Sequence, residues 1–236
     1  METVLVVGAT GNIGVSAVKG ALSSKRNVLA IVRSQASADK LIRHIGSSDG
    51  ITTVKADVLS DTGVKSVVDQ VRAGKLPAFQ HVYSSVGGEY IKLAMKDIAT
   101  ERLRANMNSM FEAAFFAYRD TITYLLEQNR PTTWTLCTGA QGDMGTFSLP
   151  AMAQGALFSF ATAAARECAE TSVRFNEVYL AFRVEVDEDA AKHGVTSASE
   201  FAPVYEAVLA RPDISSARVL MNVVEDIEDI KFVSKF

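Results

Sequence analysis

The stretch TVLVVGATGNIG, residues 3–14, decides the fold of this chain. Its first half is mostly apolar and β-branched, as in a buried strand. Glycines follow at positions 8, 11 and 14, ahead of a helix-like stretch that continues to Leu22. Residues without a Cβ let the backbone pass close to a pyrophosphate and enter a helix whose N-terminal amides face the anion. The pattern therefore predicts a nucleotide site, the alternative being a merely tight strand-to-helix turn. The residues expected to hold the nucleotide here are Gly8, Thr10, Gly11, Asn12, Ile13 and Gly14.

Similar apolar runs recur along the rest of the chain, each bounded by turn or polar residues. The expected strands are Val4–Val7, Val28–Val32, Ile51–Val54, His81–Ser84, Thr133–Cys137, Val173–Tyr179 and Val219–Val223. Segments with helical periodicity separate them, and such alternation implies right-handed crossovers and a parallel sheet covered on both faces. We therefore expect the α/β class, a doubly wound parallel sheet of the Rossmann fold, with residues 1–236 forming a single NAD(P)-binding domain.

Two expected helices stand out by length and composition. The first is predicted from about Thr100 to Gln128, because Pro131 lies shortly beyond its end, where the chain cannot continue as a helix. The second is predicted to follow Pro150, over Ala151–Ala169, and it is rich in alanine. Small side chains let backbones approach closely, so this helix is expected to pack tightly against the sheet or against another subunit.

The composition argues against several classes of protein. The 236 residues are 48% hydrophobic and 22% charged with a formal net charge of −3, so nothing indicates binding to nucleic acid or to an anionic membrane. No apolar stretch reaches spanning length, and the first strand leaves no room for a leader, so we expect a cytoplasmic protein. Two cysteines and three scattered histidines provide neither a disulfide framework nor the spacing of metal ligands, so no metal site is expected.

The end of the second strand should decide which dinucleotide is bound. A site for NAD tends to place a carboxylate there to hold the ribose hydroxyls, whereas this chain places Arg33 followed by the hydroxyl of Ser34. A guanidinium suits a 2′-phosphate through its charge and its planar donors, so the sequence favours NADP(H). The alternative is a solvent-exposed arginine at a strand end. After the third strand, Asp57 and Val58 are expected near the adenine.

These features resemble the short-chain dehydrogenase/reductase superfamily, and the resemblance extends from Thr3 to about Val223. The segment Ser84-Ser85-Val86-Gly87 is similar in place to the family's Asn-Asn-Ala-Gly, which implies that Ser85, Val86 and Gly87 lie beside the nicotinamide ribose. Asn106 matches the spacing of the family's asparagine, which bends its helix and holds a water in the proton relay. The resemblance thus implies a structural and catalytic role for Asn106.

The family's proton relay is incomplete in this chain. The family pattern is a Ser, then a Tyr about 12 or 13 residues on, then a Lys four residues later. Aligning Gln154-Gly155-Ala156-Leu157 with the family's KGAL places Gln154 at the lysine, Pro150 at the tyrosine, and Thr138 or Cys137 at the serine. No shift restores the relay, because no tyrosine occurs between positions 124 and 179 and no lysine between positions 96 and 192.

Other residues must then supply any chemistry, and the carboxyl ends of the strands are where a substrate should bind. Tyr90 and Asp143 could each supply a proton or be ordinary loop residues. Arg183 follows the sixth strand, where the family's chain contacts the nicotinamide carboxamide, although a surface arginine is an equal alternative. Gln154, in place of the lysine, is expected beside the cofactor. The connection with glycines at 139, 142 and 145 is expected to be mobile.

The sequence therefore predicts an atypical NADP(H)-dependent oxidoreductase for a small or medium organic substrate, without the usual Tyr/Lys relay. A pre-activated electrophile such as an iminium ion would need no such relay. Two alternatives stay open: a redox-neutral enzyme (cyclase, isomerase or dehydratase) on the same fold, and a non-catalytic, nucleotide-dependent sensor. The resemblance also implies a homodimer or homotetramer formed by the two helices Thr100–Gln128 and Ala151–Ala169.

Overall fold

Eight strands form one sheet, and a two-stranded sheet stands beside it, in a computed structural model that describes residues 1–236. The strands are β1 Thr3–Val7, β2 Asn27–Val32, β3 Ile51–Lys55, β4 His81–Ser84, β5 Thr132–Gly139, β6 Val173–Leu180, β7 Val184–Glu185, β8 Thr196–Ser197, β9 Ala217–Met221 and β10 Lys231–Ser234. The large sheet has the order β10-β9-β6-β5-β4-β1-β2-β3, and every pairing in it is parallel except that of β10 with β9.

Nine α-helices connect these strands. They are α1 Asn12–Ser23, α2 Gln35–Ile45, α3 Gly63–Arg72, α4 Thr100–Met107, α5 Ala113–Leu126, α6 Gln141–Met144, α7 Ser148–Cys168, α8 Asp187–His193 and α9 Ala198–Ala210. One buried cluster packs α3, α5 and α7 against one face of the sheet, and a second packs α1 and α9 against the other. The expected doubly wound Rossmann fold is confirmed. No helix is both long and apolar enough to span a membrane.

The sheet departs from the expected pattern at its far edge. The seven expected strands are present, but the eighth, β10, was not predicted, because its four residues are half-exposed or exposed and give no apolar run. The last expected strand, Val219–Val223, is Ala217–Met221 in the structure. Over these residues β9 pairs with β6 on one side and with β10 on the other, and such pairing between distant segments leaves no local signal.

The predicted long helix is interrupted. Instead of one helix over Thr100–Gln128, α4 and α5 are joined by a π-helical turn over Asn108–Glu112. The side-chain amide of Asn108 donates to the backbone carbonyl of Leu59 (3.2 Å) and to the Glu112 carboxylate (2.9 Å) within this turn. π-turns of this kind insert one residue into a helix and often occur at functional sites. Here the turn directly follows the buried Asn106.

The second long helix begins earlier than predicted. It starts at Ser148 rather than Ala151, and Pro150 stands in its first turn, where a missing backbone N–H costs no helical hydrogen bond. The preceding glycine-containing connection is not an open loop, since it includes α6. A Cβ added at Gly142 would lie 2.3 Å from the Phe158 ring, so α6 packs directly on α7.

Candidate functional site

Two adjoining cavities open where β1, β2, β4, β5 and β6 end. Their volumes are about 740 Å³ and 310 Å³. Residues of the glycine turn and of the segment after β4 line both cavities: Gly11, Ser85, Gly87 and Gly88. The reversal of strand order between β1 and β4 creates this crevice, which is where open α/β sheets bind their ligands.

The glycine turn is as tight as its sequence predicts. Gly8 has a φ of +87°, and a Cβ there would lie 2.9 Å from the carbonyl oxygen of Ser85. A Cβ at Gly14 would lie 2.0 Å from the carbonyl oxygen of Gly8, so only glycine lets α1 approach β1 this closely. No side chain caps the start of α1 at Gly11, which leaves its first amides directed at the two cavities.

The smaller cavity contains part of the expected adenosine site. Arg33 and Val58 line it, together with Thr10 of the glycine turn. The Arg33 side chain is exposed at its rim. Two other predicted contacts use their side chains locally: Ser34 accepts a hydrogen bond from the amide of Ser37 (3.2 Å), and Asp57 accepts one from the amide of Leu59 (3.0 Å). Ser34 thereby caps α2, and Asp57 fixes the turn after β3.

The larger cavity is mostly apolar and includes one of the four predicted catalytic residues, Tyr90. Thr138 does not line it, because its buried hydroxyl donates to the Glu177 carboxylate (2.7 Å) on the neighbouring strand. Asp143 does not line it either. Burial raises the pKa of the Tyr179 hydroxyl, and the nearby Asp143 carboxylate adds to the rise.

Asn106 lies behind the cavity and is 4% exposed. Its side-chain nitrogen donates to the backbone carbonyl of Glu89 (3.4 Å), one residue before Tyr90. Its side-chain oxygen has no partner in the protein, and neither have the hydroxyls of Ser84 and Ser85. Orphaned buried polar atoms of this kind are costly unless a ligand or water pairs with them. Of these three residues, only Ser85 lines the two cavities.

Tyr90 lies against the residue that takes the place of the family's lysine. Gln154 is 5% exposed, and its side-chain oxygen accepts a hydrogen bond from the amide of Gly139 (2.8 Å). Partial burial raises the pKa of Tyr90 above its usual value, the thiol of Cys137 adds to the rise, and the nearby side-chain amide of Gln154 partly offsets it. The ring of Phe147 meets the Tyr90 ring edge-on, with 6.1 Å between centroids. The Tyr90 hydroxyl is therefore neutral, and its surroundings are mostly apolar.

Arg183 lines the larger cavity and is held by a charged neighbour. Its Nε donates to the Glu185 carboxylate (2.9 Å), whose other oxygen pairs with Nδ1 of His193 (2.6 Å). The His193 hydrogen bond is the main cause that lowers the pKa of Glu185. No sequence pattern predicts this contact of His193, because a contact across eight residues between β7 and the end of α8 follows no helical or strand spacing.

Three lining residues were not predicted, namely Gly88, Phe147 and Phe182. Gln141 and Met144, which the sequence places after the fifth strand among the candidates for the substrate site, also line the larger cavity. Phe147 is held by Gln141, whose side-chain oxygen accepts the Phe147 amide hydrogen (3.1 Å). The apolar character of the segment before α7 was a usable signal for Phe147. The other residues come from separate loops that meet only in the folded structure, so no local sequence pattern identifies them.

A family model and a curated relative both indicate the same protein family. The family described as short chain dehydrogenase matches residues 2–200. The short-chain dehydrogenase/reductase iacG of Pestalotiopsis fici is 55% identical over 239 residues, which cover 99% of this chain and 96% of the relative.

Solved structures agree in fold at low identity. ElxO with NADP bound superposes with a TM-score of 0.81 at 14% identity, covering 96% of this chain and 99% of that one. A variant of ElxO with NADPH bound gives 0.80 at 15%, with the same coverage. A short-chain dehydrogenase/reductase from Brucella melitensis, described as glucose/ribitol dehydrogenase, gives 0.77 at 17%, covering 94% and 96% of the two chains. These likenesses concern the fold.

Proposed function

This chain belongs to the short-chain dehydrogenase/reductase family, and from that premise we propose that it is an NADP(H)-dependent oxidoreductase that acts on a small or medium organic substrate without the usual Tyr–Lys relay. The observation that carries the proposal is Arg33, whose exposed guanidinium stands on the smaller cavity beside the glycine turn. Solved relatives described with NADP or NADPH bound support the same choice of cofactor.

Different residues of the crevice would bind different parts of the cofactor. The amides of the glycine turn and the start of α1 would hold the pyrophosphate. Arg33 would pair with the 2′-phosphate and Val58 would pack on the adenine, both at the smaller cavity. The segment Ser85–Gly87 would lie beside the nicotinamide ribose, where the unpaired Ser85 hydroxyl finds a partner. Arg183, which lines the larger cavity, would lie near the nicotinamide, and Gln154 would act there through Gly139, whose amide donates to its side-chain oxygen.

When bound, NADPH supplies a hydride, so the protein has to position the acceptor and manage charge. Pro150 has no proton to give, and no cation stands beside Tyr90 to lower its pKa, which burial raises. Hydride transfer to a neutral ketone creates an alkoxide, whereas transfer to an iminium ion removes a charge. The site therefore suits an acceptor that is activated before it binds.

Replacing Arg33 by Ala tests the cofactor part of this proposal. The loss of a charge-assisted hydrogen bond should weaken NADPH binding by about 1.5–3 kcal/mol and leave NADH binding nearly unchanged. Calorimetric titration with both cofactors measures the difference. Arg43→Ala is the matched control, because Arg43 is an exposed arginine on α2 that lines neither cavity. Equal affinities for NADPH and NADH, unaffected by Arg33→Ala, would refute the assignment.

A further inference from the structure

We propose that the free edge of the Arg183 guanidinium binds a carboxylate of the substrate, and that the substrate is an iminium ion that carries such a carboxylate. The inference deepens the proposed function, on which it rests, by naming the chemical class of the substrate. The observation that carries it is the position of Arg183 at the wall of the larger cavity.

The Arg183 guanidinium has one occupied edge and one free edge. A guanidinium has two edges that can each offer two parallel N–H groups to a carboxylate. The Nε and Nη2 atoms of Arg183 both donate to the same oxygen of Glu185, at 2.9 Å for Nε. The second edge consists of Nη1 and Nη2, and Nη1 has no hydrogen-bond partner in the protein. Because a guanidinium can only donate, this edge requires an acceptor from the ligand.

The Glu185 carboxylate holds Arg183 without closing the site to an anion. Its second oxygen pairs with Nδ1 of His193 (2.6 Å), so two basic side chains share one carboxylate. The Glu185 side chain is 10% exposed and does not line the cavity, whereas the Arg183 side chain is 62% exposed. A ligand in the cavity therefore meets the donor edge of Arg183 and not the carboxylate that orients it.

The backbone on both sides of Arg183 is fixed. Before it, the amide of Ala181 donates to the carbonyl of Met221 on β9 (2.8 Å). After it, β7 pairs with β8, and the amide of Val186 donates to the side-chain oxygen of Asn12 (3.2 Å). Asn12 belongs to the glycine turn and lines the same cavity. Arg183 is thus held in place relative to the turn that would bind the cofactor, and such preorganisation lowers the cost of binding a ligand there.

The rest of the lining indicates what else the ligand must be. Arg183 is the only charged side chain on the larger cavity. The rings of Tyr90, Phe147 and Phe182 supply flat apolar surface. An iminium ion with no other charge would meet the positive charge of Arg183 and no carboxylate on this wall. A carboxylate-bearing iminium ion is a zwitterion, so it brings no net charge into the mostly apolar cavity and places its negative end at Arg183.

The carboxylate takes no part in the reaction itself. A hydride passes from NADPH to the iminium carbon, the electrons of the C=N π bond become the lone pair of the nitrogen, and the products are an amine and NADP⁺. This step consumes no proton, so no acid is needed at Arg183. The contribution of Arg183 is to bind the substrate and to orient the iminium carbon.

Two matched ligands test the inference without any turnover. The N-methyl betaine of cinchoninic acid and the N-methyl cation of cinchoninamide share one flat quinolinium ring, and only the betaine carries a carboxylate. Both are titrated calorimetrically into the protein with and without NADP⁺, which has no hydride to transfer. We expect the wild-type protein to bind the betaine about 10-fold more tightly, the lower end of the range for a hydrogen bond to a charged group.

Three variants locate this preference. Arg183→Gln removes the charge, so the preference should fall below about 3-fold while the affinity for the amide does not fall. Arg183→Lys keeps the charge but cannot form the bidentate fork, so it should keep only part of the preference. Arg43→Gln is the matched control, because Arg43 is an exposed arginine on α2 that lines neither cavity. Thermal unfolding checks that each variant folds.

The outcomes separate this inference from the proposed function. A wild-type protein that shows no preference for the betaine or binds neither ligand overturns the inference, as does a preference that Arg183→Gln leaves intact. A full preference in Arg183→Lys overturns the bidentate geometry. A protein that binds no NADP(H) refutes the proposed function, whereas the titrations in the absence of cofactor still decide the role of Arg183.

Discussion

Removal of the Lys235 ammonium should destabilise the fold far more than its position next to the C-terminal residue suggests. Its Nζ lies 2.5 Å from a Glu177 carboxylate oxygen, and the two side chains are 4% and 0% exposed. Breaking a buried ion pair by removing one partner costs roughly 3–5 kcal/mol, because the other charge stays buried. Glu177 keeps Arg218 (2.9 Å) and Thr138 (2.7 Å) as partners, so we expect Lys235→Met to cost about 3 kcal/mol, the lower end of that range.

Urea unfolding of three variants measures this cost. Lys231→Met is the control at the start of β10, the strand that Lys235 directly follows, because Lys231 pairs with Asp229 across 3.4 Å with side chains 65% and 80% exposed, a pair worth less than about 1 kcal/mol. Adding Glu177→Gln to Lys235→Met should not restore the loss, because Arg218 still neutralises Glu177 in the single variant and would itself lose its carboxylate partner in the double variant. Equal midpoints for Lys235→Met and Lys231→Met, or a double variant clearly more stable than Lys235→Met alone, would contradict the reasoning.

Two further predictions concern assembly and chemistry. The protein should form a homodimer or homotetramer through α5 and α7, where Phe115 is 40% exposed, and a monomeric mass by light scattering across micromolar concentrations would refute this. With NADPH, it should reduce preformed cyclic iminium ions but show negligible turnover of simple ketones. A panel of both substrates followed by NADPH consumption checks this, and brisk ketone turnover would show that a proton donor operates in the site.

The features that could be predicted from the sequence are those determined over short stretches of chain. The turn from Gly8 to Gly14 was identified because its conformation depends on glycines within seven residues, and the parallel strands were identified because each is a short apolar run. Strand β10 was missed because its four half-exposed or exposed residues pair with β9 without any pattern of their own.

The directions of side chains could not be predicted from the sequence either, because they too depend on contacts between distant segments. Thr138 stands where the resemblance expects the family's serine, yet its hydroxyl donates to Glu177 on β6, and neither Thr138 nor Asp143 lines the larger cavity. The approach of Tyr90 and Gln154 to Gly139 brings together residues more than sixty positions apart and depends on the path of the loop that carries Tyr90. Such contacts arise from packing between elements, which leaves no periodic signal in either partner.

The energy of a single hydrogen bond from Tyr90 is too small to replace the general acid of the family's relay. General acid catalysis contributes 10²–10⁴-fold, or roughly 3–5 kcal/mol of barrier, whereas one neutral hydrogen bond contributes about 0.5–1.5 kcal/mol. Burial raises the pKa of Tyr90, and the neutral amide of Gln154 supplies no positive charge against that rise, so the hydroxyl orients an oxygen better than it protonates one. The reaction must therefore be one that does not need the roughly 3–5 kcal/mol that general acid catalysis supplies. That condition holds for an acceptor whose activation, such as the positive charge of an iminium ion, is present before hydride arrives.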